Sequence, residues 1–359
     1  MNLSFLFGSG ISRPAGFPDV TEITHDVLFG KDNIPLWDNY EREKIDRIKK
    51  FIQVIVGDFR DHYSFGDRNM NYEDIYYLVD SIYQDESMNY ENPIVYFYTK
   101  HFEQNHPELL APIDSLIPGN EGIINLANYA KNYISGKVEC LLSKEPDRLN
   151  HLDFISDLVN DTSIGNINIF SLNHDLLLEK YFKDIKLSFS DGFNSQLIWD
   201  GLFEEKIKLL KLHGSIDWFA DDIVDPYKSN IHKNRNRDND APILLIGSFN
   251  KLHEYTRGLN FRLLVQFYNY LNESNYLVIS GYGFGDQGIN SRIFDWLYSS
   301  KNNRIILIHN NIESLKKSAR PAISDKLDSW ISSGIVSHIP KFIEEITWME
   351  IKEKMEGIK

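Results

Sequence analysis

The sequence predicts an α/β fold, a Rossmann-like parallel sheet with helices on both faces that a mainly helical insert interrupts. Short apolar runs alternate with stretches of helical apolar spacing in residues 1–29 and again from about residue 160, which is typical of parallel strands covered by helices. Between these parts, apolar residues recur three and four positions apart, as in amphipathic helices. We therefore expect a discontinuous domain of residues 1–29 plus 160–359 and an inserted helical domain of residues 30–159.

A glycine-rich turn separates the first predicted strand from the first predicted helix. Leu3–Phe7 is short and apolar, whereas Val20–Phe29 has the apolar spacing of a helix. Residues Gly8 to Ser12, which read Gly-Ser-Gly-Ile-Ser, allow a tight turn and a close approach to a pyrophosphate at a helix N-terminus. Because the third glycine of a dinucleotide fingerprint is missing, a purely structural glycine turn is an open alternative at this point.

The insert and the rest of the sheet are predicted from the period of their apolar residues. Helical spacing is found at Ile45, Ile48, Ile52 and Ile55, at Ile75, Leu78, Val79 and Ile82, and at Leu149, Leu152, Ile155 and Val159. Strand-like runs follow at residues 167–172, 207–212, 243–246, 276–280 and 304–308, with helical stretches such as 261–271 and 289–297 between them. Ligands of such sheets bind beyond the carboxyl ends of the strands, so the residues after each run are candidates for function.

Charge and cysteine content exclude several classes of protein. Acidic residues outnumber basic ones 52 to 38 and the formal net charge is -14, so direct binding to nucleic acid is not expected. Cys140 is the single cysteine, which excludes an intrachain disulfide and a thiolate zinc site and favours a reducing, cytoplasmic setting. We expect no membrane span, because no run approaches the ~18 apolar residues that one requires, and no secretory signal.

Polar residues follow the second and third strand-like runs. Asn173, His174 and Asp175 come after the run 167–172, and His213 comes after the run 207–212. Together they offer hydrogen-bonding groups for sugar hydroxyls and a base that titrates in the physiological range. Structural alternatives are a turn-forming Asn173, a helix-capping Asp175 and histidines with ordinary loop partners. A metal site at His174 and Asp175 is not favoured, because no further ligand has a clear spacing.

Two later strand ends also carry residues suited to a nucleotide. Residues Gly281 to Asp286 form a second glycine-rich loop, which opens a helix near Ile289. His309 and Asn310 follow the run 304–308. Two glycine loops that each enter a helix of the same sheet would hold a dinucleotide from both sides.

Read in order, these stretches resemble the sirtuin family, which is named for silent information regulators. Family members carry Gly-Ala-Gly-Ile-Ser, three residues, and Gly-Ile-Pro-Asp, and this chain has Gly8 to Ser12 and Gly16 to Asp19 at the same spacing. The family's Thr-Gln-Asn-Ile-Asp is matched by Ser171 to Asp175, and its His-Gly by His213 and Gly214. The late Gly-Thr-Ser-Leu loop corresponds to Gly281 to Phe284.

The resemblance implies that NAD is bound and names a role for each matching residue. Gly8, Gly10 and Ser12 would hold the pyrophosphate, and Asp175 the carboxamide. Asn173 would bind ribose hydroxyls or order the attacking water. His213 would act as general base through a ribose hydroxyl. The other implied NAD-binding residues are Ser9, Asp19, Gly281, Tyr282, Gly283, Phe284, His309 and Asn310. Arg13 would either add charge for the phosphates or be a surface arginine.

Departures from the family indicate a different reaction from that of its deacylases. Val20 and Thr21 stand where deacylases have Phe-Arg, and one cysteine cannot form the family's four-cysteine zinc site, so no zinc is expected. The pattern Gly-Tyr-x-Phe-x-Asp-x-x-Ile-Asn at Gly281 to Asn290 is similar to a bacterial branch that destroys NAD in anti-phage defence. The resemblance thus implies an NAD+ hydrolase with NAD as its substrate. Some members of that branch work with a HerA-type ATPase or an Argonaute protein.

Three other functions remain open at the level of sequence. A dehydrogenase would need the third fingerprint glycine and an acidic residue at the end of the second strand. A zinc-free NAD-dependent deacylase would need an acyl-peptide, and a non-catalytic nucleotide sensor would not need both Asn173 and His213. Because the helical insert has several amphipathic faces, we also expect it to mediate contacts in a homo-oligomer.

Overall fold

A parallel sheet of six strands lies at the centre of the structure, a computed structural model in which residues 1–31, 42–63, 69–89, 91–110, 122–220, 226–229, 241–248 and 250–357 are described. The strands are β1 (Leu3–Phe7), β2 (Ile167–Ser171), β3 (Ile207–Lys211), β4 (Trp218–Phe219), β5 (Tyr227–Lys228), β6 (Tyr276–Ser280), β7 (Arg304–Ile308) and β8 (Val336–Ile339). The sheet has the order β3-β2-β1-β6-β7-β8, and β4 pairs with β5 apart from it. The predicted Rossmann-like parallel sheet is confirmed.

Helices cover both faces of the sheet. They are α1 (Val20–Phe29), α2 (Arg42–Tyr63), α3 (Tyr72–Glu86), α4 (Pro93–Asn105), α5 (Ile123–Leu142), α6 (Phe154–Asn160), α7 (Leu177–Asp184), α8 (Asn250–Glu254), α9 (Gly258–Asn272), α10 (Gln287–Ser299), α11 (Ile312–Ser318), α12 (Pro321–Ser332) and α13 (Trp348–Glu356). Among the helices of the described residues, none is both long and apolar enough to cross a lipid bilayer.

The side chains of β1 alternate between two apolar clusters, one on each face of the sheet. Phe5 and Phe7 belong to the first cluster, and Leu6 belongs to the second. The first cluster also contains Ile48 of α2 and Ile134 of α5. The helices between α1 and β2 therefore share an apolar core with one face of the sheet. The division into residues 1–29 plus 160–359 and residues 30–159 remains a prediction.

The order in which strands are added to the sheet reverses at β1, which lies between β2 and β6 and is parallel to both. Phe7 is paired with Ser171 of β2 and with Ser280 of β6, so the loops after these three strands leave the sheet at the same level. The chain moves outward from this position in both directions. This is the topological switch point at which parallel sheets bind ligands.

The two glycine loops are in direct contact at the switch point. Gly8 N–H donates to Ser280 O at 3.1 Å, and Gly10 N–H donates to Gly281 O at 3.0 Å. A Cβ on Gly8 would lie 2.4 Å from Gly281 O. Gly281 has φ +67°, and a Cβ there would lie 2.6 Å from the backbone nitrogen of Ile11. These glycines are thus required by the contact between the loops themselves.

The strand predicted at residues 243–246 is wrong, and the strand β8 was not predicted. Leu244 forms an isolated bridge with Gly214, and Leu245 N–H donates to His213 O at 2.8 Å. The run therefore packs over the loop after β3 instead of joining the sheet. Its short apolar pattern also suits a buried connecting segment, which periodicity does not distinguish from a strand. In β8, Ser337 and His338 interrupt the apolar run.

Replacing Gly281 with alanine is expected to lower the free energy of unfolding by about 2 kcal/mol or more, because alanine would adopt a left-handed backbone and meet Ile11. Gly283→Ala is the matched control, since a Cβ there would have nothing within 4 Å. The control should change the free energy of unfolding by less than about 0.5 kcal/mol. Urea denaturation of both variants measures the difference. Equal midpoints would show that the loop contact does not demand glycine.

Candidate functional site

Ser12, Asn173 and Asp175 form a buried hydrogen-bonded chain at the carboxyl ends of β1 and β2. Asn173 Nδ2 donates to Gly8 O at 3.1 Å and to Ser12 Oγ at 3.0 Å, and Ser12 Oγ donates to Asp175 Oδ2 at 2.8 Å. The other oxygen of Asp175 accepts from Leu177 N–H at 3.0 Å, at the start of α7. The proposed turn-forming role of Asn173 is replaced by a contact between two loops, whereas Asp175 does bind the first N–H of a helix.

The amide oxygen of Asn173 has no partner in this hydrogen-bonded series of Ser12, Asn173 and Asp175. The Asn173 side chain is 7% exposed, and its Oδ1 has no hydrogen-bond partner among the described residues. Both amide hydrogens are used by Gly8 and Ser12, which fixes the orientation of the amide and leaves only the acceptor open. A buried acceptor without a partner costs free energy, so this oxygen is suited to a hydroxyl or water donor.

His213 lies after β3 and contacts two other polar side chains. Its Nε2 is 2.9 Å from Tyr255 Oη and 3.0 Å from Asp286 Oδ2, and Tyr255 Oη donates to the same carboxylate oxygen at 2.9 Å. The other oxygen of Asp286 accepts from Ile289 N–H at 3.0 Å and caps α10. His213 is 5% exposed, so these contacts are shielded from water.

Burial keeps the two histidines of the site neutral. It lowers the pKa of His174 well below its ordinary value, and the nearby His213, Lys251 and Lys211 lower that pKa further. Burial also lowers the pKa of His213, an effect that the hydrogen bond to Asp286 offsets only in part. The ring centroids of His174 and His213 are 6.2 Å apart. Two adjacent protonated rings would repel each other in a buried region, which further favours the neutral forms.

The carboxylate and the phenol beside His213 are held in opposite protonation states. Burial raises the pKa of Asp286, but the hydrogen bond from His213, the charge that His213 carries when it is protonated, the nearby Lys251 and the N–H of Ile289 lower it by more, so the pKa lies below its ordinary range. Burial and the charge of Asp286 raise the pKa of Tyr255 well above its ordinary value. Asp286 is therefore ionised and Tyr255 is protonated at neutral pH.

Lys211, at the end of β3, holds the loop that carries the candidate residues. Its Nζ donates to the carbonyl oxygens of His174 and Asp175 and forms an ion pair with Glu179 of α7 at 3.0 Å. Lys211 is 1% exposed, so this ammonium group depends on protein acceptors. The geometry of the loop after β2 is thus tied to β3 and α7.

The helices between α1 and β2 contact the site through α8. Lys251 Nζ of α8 is 3.1 Å from Glu73 Oε2 of α3, and Asn250 Nδ2 donates to Asp80 Oδ2 at 3.3 Å. Tyr255 directly follows α8 and reaches His213. One short helix therefore joins α3 to the polar side chains beside His213.

The turn after β1 offers fewer free donors than the sequence suggested. The N–H groups of Gly8, Gly10 and Ser12 donate to the carbonyl oxygens of Ser280, Gly281 and Ser9. Ser9 is exposed at the tip of the turn.

Asp19 and Arg13 have structural contacts beside this turn. Asp19 caps α1 by accepting from Thr21 N–H and Glu22 N–H. Arg13 Nη1 lies 2.7 Å from a carboxylate oxygen of Asp19 and 2.7 Å from one of Glu22. Arg13 is therefore a surface arginine, because its side chain is exposed and its charge is paired with two carboxylates.

The side chains of the second glycine loop serve the loop itself. Tyr282 and Phe284 are buried in the second apolar cluster, and Phe284 has φ +55°. Tyr282 Oη donates to Asn290 Oδ1 at 2.8 Å, and Asn290 Nδ2 donates to Phe284 O at 2.9 Å. A Cβ on Gly283 would meet nothing within 4 Å. Gly283 and Gly285, beside which a Cβ would meet nothing within 4 Å, are therefore the positions of this loop that are open to a nucleotide.

His309 and Asn310 lie at the end of β7, two strands away from β1. His309 is half-buried, its Nδ1 accepts from Asn311 N–H at 3.1 Å, and its carbonyl lies 2.7 Å from His338 Nε2. Burial lowers the pKa of His309, and the neighbouring His338 lowers it further. Asn310 is exposed. In the described part of the chain, no group of three or more histidine, cysteine or acidic residues is arranged to hold a metal ion.

Sequence reasoning did not identify Tyr255 or Asp286 as neighbours of His213. Asp286 follows the second glycine loop at a strand end, which is the signal that pointed to Asn173 and His213 as well. Tyr255 carries no such signal, because it is 42 residues from His213 in the chain and follows a short helix. Its position depends on the packing of α8.

Comparisons with known proteins point to one family over part of the chain. Residues 167–329 match the family model described as the SIR2-like domain, a little less than half of the chain. No curated protein matches the chain. The family resemblance is thus supported over this range, whereas the bacterial defence branch remains a prediction.

Several solved structures are similar to this chain at low sequence identity. One described as "Structural Basis for the Mechanism and Regulation of Sir2 Enzymes" has 12% identity and a TM-score of 0.44, and the match covers 99% of this chain and 92% of that chain. A second, "Sir2 bound to acetylated peptide", has 12% identity and a TM-score of 0.42, with coverage of 100% and 94%. A third, "Sir2-p53 peptide-NAD+", has 13% identity and a TM-score of 0.40, with coverage of 100% and 94%.

Stability is expected to fall as the pH decreases from about 6.5, because His174 stays neutral in the folded protein whereas its ordinary pKa is 6.5. Below that pH the unfolded chain binds more protons, so each such histidine lowers the free energy of unfolding by up to about 1.4 kcal/mol per pH unit. His174→Gln should therefore flatten the pH dependence measured by urea denaturation between pH 7 and 5.5. His101→Gln, at an exposed position of α4, is the control and should keep the wild-type slope. An unchanged slope in His174→Gln would contradict the neutral buried state.

Proposed function

Because residues 167–329 are similar to SIR2-like domains, we propose that this protein is an NAD+ hydrolase that releases nicotinamide and ADP-ribose. The observation that carries the proposal is the pair of polar groups at the ends of adjacent strands. Asn173, after β2, offers a buried oxygen without a partner, and His213, after β3, is a neutral imidazole. An acceptor with a fixed orientation and a base near the switch point suit the hydrolysis of a glycosidic bond, because they can orient the sugar or the water and accept a proton.

The proposed reaction consumes water and releases one proton. The bond from the ribose C1′ to the nicotinamide nitrogen breaks, its electron pair leaves with nicotinamide, and a water oxygen bonds to C1′. Charge develops on the sugar ring as in an oxocarbenium ion, so the protein has mainly to hold the sugar, place the water and exclude solvent. Asn173 Oδ1 would accept a hydrogen bond from a ribose hydroxyl or from the attacking water. His213 would take the proton, directly or through a ribose hydroxyl.

The described contacts support parts of the implied NAD site and limit others. Gly8, Gly10 and Ser12 already donate their N–H groups within the protein, so the exposed Ser9 is the residue of the turn best placed to meet a phosphate. Asp175 accepts from Ser12 and Leu177, and its implied contact with the carboxamide remains a prediction. Gly283 leaves backbone that a nucleotide can approach, whereas the space beside Gly281 is filled by the loop after β1.

A role as an effector of anti-phage defence rests on the resemblance of the pattern from Gly281 to Asn290 to that bacterial branch. Such an enzyme would have to be restrained in its own cell, since hydrolysis of NAD is harmful. A homo-oligomer, a cytoplasmic location and a HerA-type or other partner protein are further predictions of the same hypothesis.

His213→Ala and Asn173→Ala are each expected to lower nicotinamide release by at least ~100-fold, the low end for a positioned acid or base. Release is measured by chromatography after incubation with NAD alone and with NAD plus an acyl-lysine peptide. The loss in the double variant should be far smaller than the product of the two single losses, because groups that act as a unit are not additive.

The controls are His101→Ala and Asn302→Ala, which change the same residue types at exposed positions. Both should retain wild-type release. Turnover that requires the peptide would favour a deacylase over the hydrolase. Full hydrolysis by folded His213→Ala and Asn173→Ala would refute the assignment of the two residues.

A further inference from the structure

Three polar atoms form a closed triangle beside His213. Its Nε2 lies 2.9 Å from Tyr255 Oη and 3.0 Å from Asp286 Oδ2, and those two oxygens are 2.9 Å apart. His213 and Tyr255 are 5% and 4% exposed, and the side chain of Asp286 is 5% exposed. Because the triangle is shielded from water, its hydrogen bonds must be made with the protons of these three groups.

Because burial lowers the pKa of His213 and keeps the ring neutral, counting protons in the triangle leaves one arrangement. Asp286 is ionised and supplies none, and Tyr255 supplies one, which it donates to Asp286 Oδ2. The contact between His213 Nε2 and Asp286 Oδ2 would set two lone pairs against each other unless Nε2 carries a proton. A neutral imidazole has a single ring proton, so a proton on Nε2 leaves the lone pair on Nδ1.

We propose that Asp286 is a positioning residue that holds His213 as the Nε2–H tautomer, so that Nδ1 is the basic nitrogen of the site. The inference rests on the proposed function for its chemical meaning, because a base must present a lone pair to the proton that it removes. The assignment of the tautomer itself rests only on the triangle. Serine proteases use a buried carboxylate in the same way to select one tautomer of their histidine.

The second oxygen of Asp286 makes the asparagine variant informative. Asp286 Oδ1 accepts from Ile289 N–H at 3.0 Å as the N-cap of α10. In Asp286→Asn the single amide oxygen must keep this contact, since the amide nitrogen cannot accept from Ile289 N–H. The NH2 group then faces Tyr255 and His213. His213 Nε2 must accept, and the ring proton moves to Nδ1.

Other charged and titratable groups around His213 do not replace this effect. Lys251 of α8 lies nearby and is paired with Glu73 of α3 at 3.1 Å. His174 approaches from the loop after β2, with its ring centroid 6.2 Å from that of His213. Among the charged groups described around His213, Asp286 accounts for the hydrogen bond to Nε2.

The experiment is nitrogen NMR of the full chain with 15N-labelled histidine, recorded near pH 7 without NAD. Protonated and unprotonated ring nitrogens have distinct shifts, and His213→Gln identifies the signal of His213 among the 11 histidines. The wild type should show Nε2–H and Asp286→Asn should show Nδ1–H. Tyr255→Phe is the matched control, because it keeps the carboxylate acceptor and should keep Nε2–H.

Nicotinamide release provides the second measurement. Asp286→Asn should lower kcat by at least ~100-fold, as expected for the loss of a correctly oriented base. A wild-type His213 with Nδ1–H, or an Nε2–H signal that persists in folded Asp286→Asn, would overturn the proposal. If Asp286→Asn does not fold, the tautomer of His213 in the wild type and in Tyr255→Phe tests the proposal instead. Expected tautomers in a protein that releases no nicotinamide would refute the hydrolase and leave the tautomer assignment standing.

Discussion

The contact between the two glycine loops at the switch point is the constraint on which the site depends. Gly8, Gly10 and Gly281 allow the loops after β1 and β6 to touch backbone to backbone. Gly8 O then accepts from Asn173, and the loop that begins at Gly281 continues to Asp286, which binds His213. A side chain at any of these glycines would push the loops apart and with them both polar networks.

The site consists of polar groups that satisfy one another in a setting that excludes water. Lys211 bonds to the loop after β2, and Asp286 serves α10 with one oxygen and His213 with the other. Such networks are stable when every member has a partner, and a member without one is costly. Asn173 Oδ1 and the Nδ1 of His174 are buried side-chain atoms of the loop after β2 that have no hydrogen-bond partner among the described residues. A functional site is where such a cost is expected, because a ligand then supplies the missing partner.

How much could be predicted from the sequence depends on the range of the interactions concerned. The bounds of β1 and α1 followed from local patterns, since an apolar run, a glycine turn and a stretch of helical apolar spacing lie within 29 residues. The strand predicted at residues 243–246 failed because apolar content does not say which edge a segment joins. Asn173 and His213 could be singled out from the sequence, because the carboxyl ends of parallel strands meet at one edge of the sheet. Tyr255 could not be predicted, because its place depends on how α8 packs against α3 and α10.

The short helix α8 connects α3 to the polar side chains beside His213. It binds Glu73 and Asp80 of α3 through Lys251 and Asn250 and leads directly to Tyr255. A shift of α3 that carries α8 with it would therefore strain or release the contact between Tyr255 and His213. Linkage makes such an effect reciprocal, so that occupation of the site and the position of α3 bias each other by the same free energy. A macromolecule that binds the helices between α1 and β2 would then respond to occupation of the site without contacting it.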